Sequence, residues 1–172
     1  MSWSIEAVRE AQVAPAAVFA LYADPATWSA WGHNATWARA DGPLVEGGTV
    51  DVRANYGKVY PCRIRRLVPD RALELVVHPP GMTIVNVYEV EPTPAGGSRI
   101  HHAFRIEGPM GTVARLLGLG RVYAKKLEAE VEAVARMART GTAGERDATD
   151  VTAAERALHG AKRRAGGGRW ED

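Results

Sequence analysis

The residues able to do chemistry gather in a few short stretches. His101 and His102 are adjacent within Arg99–Glu107. On a strand they point to opposite faces, so one of them faces the interior. A histidine there could serve as an acid or base near neutral pH. The alternative is a histidine satisfied by a neighbouring tyrosine or backbone group. Two parities compete for the inward face. If His101, Ala103 and Arg105 face inward, Arg105 is costly unless paired or bound to an anion. If Ile100, His102, Phe104 and Ile106 do, Arg105 is solvated. The greater hydrophobicity of the second set favours His102 as the inward histidine. Asn86 and Tyr88 share one face of the preceding apolar stretch, and Tyr88 could place a hydroxyl inside. Tyr56 and Tyr60 could do the same from a rim. No Ser-His-Asp arrangement can be placed, and there is no G-x-S-x-G elbow, phosphate-binding glycine loop or metal motif. No cofactor is expected.

These residues need strands to hold them, and the sequence supplies strands. Trp3, Ile5 and Ala7 alternate with Ser4 and Glu6. Val50, Val52, Ala54 and Tyr56 alternate with Asp51, Arg53 and Asn55. Cys62 and Ile64 stand opposite Arg63 and Arg65, and the doublet Arg65-Arg66 breaks the alternation where a bulge would sit. Leu73, Leu75 and Val77 continue the pattern. Thr83–Val90 is apolar on both faces, as a central strand would be. Short turn-rich connections make the pairing antiparallel. Between the first two strands, Ala14-Pro15 and Asp24-Pro25 start two short helices.

One long helix follows. Over Gly108–Arg139, Val113, Leu116, Gly120, Tyr123, Leu127, Val131, Val134 and Ala138 recur at helical spacing, with Glu128, Glu132 and Arg136 on the other side. Gly118 and Gly120 lie within it, and two readings stay open: a kink with close packing, or a hinge that lets residues 109–118 move as a gate over the pocket. The expected organisation is one domain over residues 1–139 and a flexible tail over 140–172. Thr140-Gly141-Thr142-Ala143-Gly144 is a spacer, the Thr152–Glu155 capping box starts a short helix at 152–163, and Gly166-Gly167-Gly168 ends it.

Bulk composition excludes some functions. A formal charge of +2 on 172 residues is too balanced for a nucleic-acid binder working through a basic field. The one cysteine, Cys62, has no partner for a disulfide within the chain. Glu6, Arg9 and Glu10 interrupt any secretory signal, and no apolar run could span a bilayer. The default expectation is a soluble cytoplasmic protein with no stable membrane insertion.

The order of elements resembles the helix-grip fold of the START/Bet v 1-like superfamily, and within it the SRPBCC group of bacterial polyketide cyclase/dehydrase and lipid-transport proteins. The matching landmarks are Ala14-Pro15-x-x-Val18-Phe19-x-Leu21 and Asp24-Pro25-x-x-Trp28-x-x-Trp31, then Leu44-x-x-Gly47, Val90-Glu91-Pro92-x-x-x-Gly96-Gly97-Ser98-Arg99 and Gly108-Pro109-Met110-Gly111. They cover roughly residues 2–139. The resemblance implies an α+β fold: a curved antiparallel sheet of about seven strands wrapped on a long C-terminal helix, with two short helices after the first strand. It also implies a deep pocket between sheet and helix for hydrophobic small molecules or lipids. These landmarks are structural, so no catalytic residue carries over.

Strand parity and the helix stripe then give a candidate wall: Val52, Ala54, Ile64, Leu75, Val77, Tyr88, His102, Leu116, Tyr123 and Leu127. The expected cavity is about 300–1,000 Å³, the usual range for small-molecule sites. Three functions follow. The first is binding of a hydrophobic small molecule or lipid without catalysis. The second is a polyketide cyclase/aromatase or dehydratase using His102 and Tyr88. The third is a protein-interaction module acting through the tail, with Trp170 as anchor and the protein partner unknown.

Overall fold

In the computed structural model, which describes residues 2–109 and 119–141, seven strands form one antiparallel sheet. They are β1 (Ser2–Ala11), β2 (Ala35–Arg39), β3 (Thr49–Ala54), β4 (Val59–Val68), β5 (Ala72–Val77), β6 (Thr83–Pro92) and β7 (Ser98–Glu107), in the order β1-β7-β6-β5-β4-β3-β2. Between β1 and β2 the chain forms α1 (Pro15–Ala23), a 3-10 turn (Pro25–Thr27) and α2 (Trp28–Trp31), and so passes from one sheet edge to the other. The last described helix, α3 (Leu119–Thr140), packs against β1, β7, α1 and α2. This is the helix-grip arrangement.

Local chemistry explains the joints. Pro15 opens α1, where its missing N–H costs nothing. The Asp24 side chain then accepts from the Ala26 N–H and starts the 3-10 turn. The β4–β5 register shifts between Ile64 and Arg66, so the arginine doublet does sit at a bulge. A second shift, between Ala35 and Trp37 on β2, has no sequence signal. Gly97 lets β7 start against β1: a Cβ there would lie 2.4 Å from the Ala11 carbonyl oxygen. Beside it, the buried Ser98 hydroxyl donates to the Val13 carbonyl at 2.6 Å.

The concave face of the sheet and the apolar stripe of α3 share one core. Leu127, Val131 and Val134 are buried from the helix side, and Ile64, Leu73, Val90 and Ile100 from the sheet side. Side chains of the first helical pair, Val18, Phe19, Tyr22, Trp28 and Trp31, join them. The opposite face of the sheet carries a small cluster of Val85, Val87 and Ala103. There His101 bridges Glu89 and Glu6, at 3.1 and 3.2 Å, and Arg105 is exposed. Glu132 pairs across to Arg9 of β1. Met110–Gly118, with Val113 and Leu116, and residues 142–172 lie outside the described residues. All of the expected gate but Pro109, the helix at 152–163 and Trp170 fall there. Gly120 is described, and a Cβ on it would meet the Trp3 ring at an ordinary 3.5 Å. Among the described residues no helix is long and apolar enough to cross a membrane.

Candidate functional site

A cavity lies between the sheet and α3. The cavity has a volume of about 190 Å³, below the expected range. Register explains where it lies. Val52 and Ala54 of β3, Tyr60 and Cys62 of β4, Leu75 and Val77 of β5, Ile84, Asn86 and Tyr88 of β6 and Phe104 of β7 line it, with Tyr123 and Glu130 from α3. Trp28, Trp31, Gly32, Asn34, Ala35, Tyr56 and Pro79 complete the described lining. One step further along each strand the interface is filled. Val50, Ile64, Leu73, Val90 and Ile100 pack solidly there, plugged by the large side chains of α1 and α2.

This layering divides the residues of the expected wall. Val52, Ala54, Leu75, Val77, Tyr88 and Tyr123 do line the cavity. Ile64, His102 and Leu127 do not, because they belong to the filled layer. Parity assigns a residue to a face; it does not tell which end of that face is open. Leu116 lies outside the described residues. Tyr56 is largely exposed, in the turn after β3, and donates its hydroxyl hydrogen to the Tyr60 hydroxyl at 2.9 Å.

His102 is fully buried beneath the cavity floor, in a polar array that the sequence reading did not assemble. Its Nε2 lies 2.9 Å from the Tyr22 hydroxyl, and its Nδ1 lies 3.5 Å from Glu130 Oε2. Among the described residues the acid beside Nδ1 is that carboxylate. The imidazole therefore carries its hydrogen on Nδ1, and Tyr22 donates to Nε2. At 3.5 Å the Nδ1 contact is electrostatic more than a hydrogen bond. The other carboxylate oxygen, Oε1, accepts the His33 N–H at 2.9 Å and lies 3.7 Å from His33 Nδ1. Both Nδ1 atoms are buried without a hydrogen-bond partner among the described residues. Aromatic rings enclose the array. Tyr88 meets the His102 ring edge-on at 4.9 Å, and Trp31 lies 5.8 Å from it.

The electrostatics follow from burial. Burial pushes His102 below its ordinary value, and the nearby Glu130 only partly opposes this, so the ring is neutral at pH 7. Glu130 is itself buried, which alone would raise it. The His102 and His33 contacts outweigh that and hold the carboxyl down at about 2. Burial raises Tyr22 and Tyr88, and Glu130 raises them further, so both remain neutral phenols. Burial, with Asp51 nearby, pushes the Cys62 thiol up to about 12, which leaves it a poor nucleophile. Among the described residues no three His, Cys, Asp or Glu side chains converge to hold a metal ion.

Glu130 is the residue that sequence reasoning missed. The signal was present: it stands three after Leu127 and four before Val134, on the buried stripe of α3. Tyr22, whose hydroxyl is the partner of His102, lies 80 residues away in the chain, and no motif links the two.

The family model described as polyketide cyclase / dehydrase and lipid transport matches residues 2–142. No curated protein matches the chain. Solved structures match its fold at low identity. A protein of unknown function from Staphylococcus aureus superposes with a TM-score of 0.66 at 15% identity, over 84% of this chain and 98% of that one. A START superfamily protein from Mycobacterium smegmatis gives 0.60 at 10% identity, over 81% of this chain and 99% of that one. DynU16, from the dynemicin biosynthetic locus, gives 0.62 at 16% identity, over 84% of this chain but 50% of that one. With most of its length matched and its sheet wrapped on a terminal helix, the chain belongs to the polyketide cyclase/dehydrase and lipid transport family.

Proposed function

We propose that the protein binds a compact hydrophobic small molecule in the cavity between its sheet and α3, without catalysis. The observation that carries this is the cavity itself: a hollow of about 190 Å³ walled largely by aliphatic and aromatic side chains, beside a packed layer of the same core. For scale, an engineered apolar cavity of about 150 Å³ accepts benzene. A ligand of one or two rings, or a short branched chain, therefore suits this volume. The family description, which includes lipid transport, supports an apolar ligand.

The catalytic alternative loses its best residue. His102 has no surface on the cavity, and its Nε2 is held by Tyr22. Of the two candidates, Tyr88 borders the cavity, as a neutral phenol suited to donating a hydrogen bond. A thermal-shift panel of aromatic compounds, short lipids and polyketide fragments tests the binding reading. A ligand at about a hundred times its Kd stabilises the fold by about 2.7 kcal/mol, enough to raise Tm by several degrees. No shift with any apolar compound would defeat the proposal. Turnover of a bound compound would favour the enzyme.

A further inference from the structure

The polar end of the cavity points to one class of ligand. Glu130 is nine-tenths buried yet lines the cavity. A carboxylate offers about four lone-pair sites. Only one firm donor, the His33 N–H at 2.9 Å, meets Glu130 among the described residues. The His102 and His33 Nδ1 atoms stand off at 3.5 and 3.7 Å. The described lining contains no lysine, arginine or histidine to balance this charge. It is rich in rings instead: Trp28, Trp31, Tyr88, Phe104 and Tyr123. Aromatic faces attract cations, more strongly once water is excluded. The ammonium groups of Lys126 and Lys58 lie 5.6 and 5.3 Å from the ring centroids of Tyr123 and Tyr60, and neither lysine lines the cavity. Lys126 is engaged by Asn34 Oδ1 at 3.3 Å.

We infer that the cavity selects ligands with a cationic amine on a small aromatic or alicyclic body, the ammonium group donating to Glu130 within the ring of aromatic side chains. Carboxylate-bearing ligands of the same shape are rejected, because they would bury a second negative charge beside the first. Neutral alcohols fit and can donate to the carboxylate, but they gain neither the attraction of opposite charges nor the cation–π contacts. The inference rests on the binding reading above and narrows it.

The test uses three molecules of one shape, naphthylmethylamine, naphthylmethanol and naphthoate, titrated calorimetrically into the full-length protein near neutral pH. The amine should bind about tenfold or more tighter than the alcohol, the gain expected of opposite charges and cation–π contacts over a single hydrogen bond, and naphthoate should give no binding. In Glu130→Gln the amine should fall to the affinity of the alcohol, while the alcohol changes little. Equal binding of amine and alcohol, or preference for naphthoate, overturns the inference and leaves the cavity reading standing. Failure of all three overturns the inference too, and the wider thermal-shift panel then decides the cavity reading. Near-ultraviolet circular dichroism verifies that Glu130→Gln folds; if it does not, the wild-type ranking alone decides.

Discussion

Glu130 should make this protein acid-sensitive in a way that one substitution removes. Its carboxyl titrates at about 2 in the fold, against 4.5 for a free glutamate. At 1.36 kcal/mol per pH unit, that difference is worth about 3 kcal/mol of stability. Glu130 is buried, so solvent screening discounts little of it. Between about pH 2 and about pH 4.5 the unfolded chain binds a proton that the fold refuses. The contribution is therefore complete above about pH 4.5 and is lost as pH falls toward about 2. His102 acts in the same direction. Its folded value lies below the ordinary 6.5, so stability already begins to fall as the solution drops below about pH 6.5. Urea unfolding followed by tryptophan fluorescence reads this directly, since Trp28 and Trp31 are buried in the core. Other carboxylates also titrate, so the informative quantity is the gap between wild type and Glu130→Gln. Whatever that gap is near neutral pH, it should close by about 2 kcal/mol on going to about pH 3. With a urea m-value of about 1–3 kcal/mol/M, the two midpoints converge by about 1–2 M. Parallel pH curves, with the gap constant within about 0.5 kcal/mol, would refute the reasoning and mean that Glu130 titrates like an exposed glutamate.

Three further perturbations separate the filled layer from the hollow one. Tyr22→Phe keeps the ring contacts to Trp31 and Tyr88 but removes the 2.9 Å hydrogen bond to His102 Nε2. Leaving that buried nitrogen unpaired should cost about 1–3 kcal/mol in urea unfolding. Gly97→Ala places a Cβ 2.4 Å from the Ala11 carbonyl oxygen; the forced backbone shift should cost about 1–3 kcal/mol and lower Tm, while alanine at the exposed Gly96 position tests only that glycine's φ of +82°. Ala54→Phe fills part of the 190 Å³ cavity from the β3 side, and should abolish the ligand-induced rise in Tm while the unliganded protein still melts cooperatively.

The sheet was legible because it is half-buried almost everywhere, and a half-buried strand must alternate. The bulge could be placed because Arg65-Arg66 cannot both face outward on a regular strand. His102 could be turned inward because Ile100, Phe104 and Ile106 share its parity, and all three are buried. What could not be read depends on distance along the strands and on contacts between distant segments. Ile64 and Leu75 are paired neighbours on β4 and β5, yet only Leu75 borders the cavity. Tyr22, Trp28 and Trp31, which share the core with both, arrive from a different part of the chain. Glu130 illustrates the same limit. Among Glu128, Glu132 and Arg136 it looks like one more solvated helix residue, and only its phase on the stripe marks it as buried.

That phase also bears on function. A leucine at position 130 would continue the stripe of Leu127, Val131 and Val134 without any desolvation cost. A carboxylate there must instead be held by partners, and the fold supplies one short hydrogen bond and two long contacts. Tyr22 and His102 are drawn into the same array, so three polar side chains occupy volume that an apolar core would fill more cheaply. Their arrangement leaves His102 sealed and Glu130 facing the hollow. A purely structural array would satisfy the carboxylate fully and turn it away from empty space. Here the unsatisfied side of Glu130 opens onto the one place where a ligand could complete it. On the binding reading proposed above, the stability held in the floor and the selectivity of the cavity depend on the same carboxylate, and a single substitution should move both.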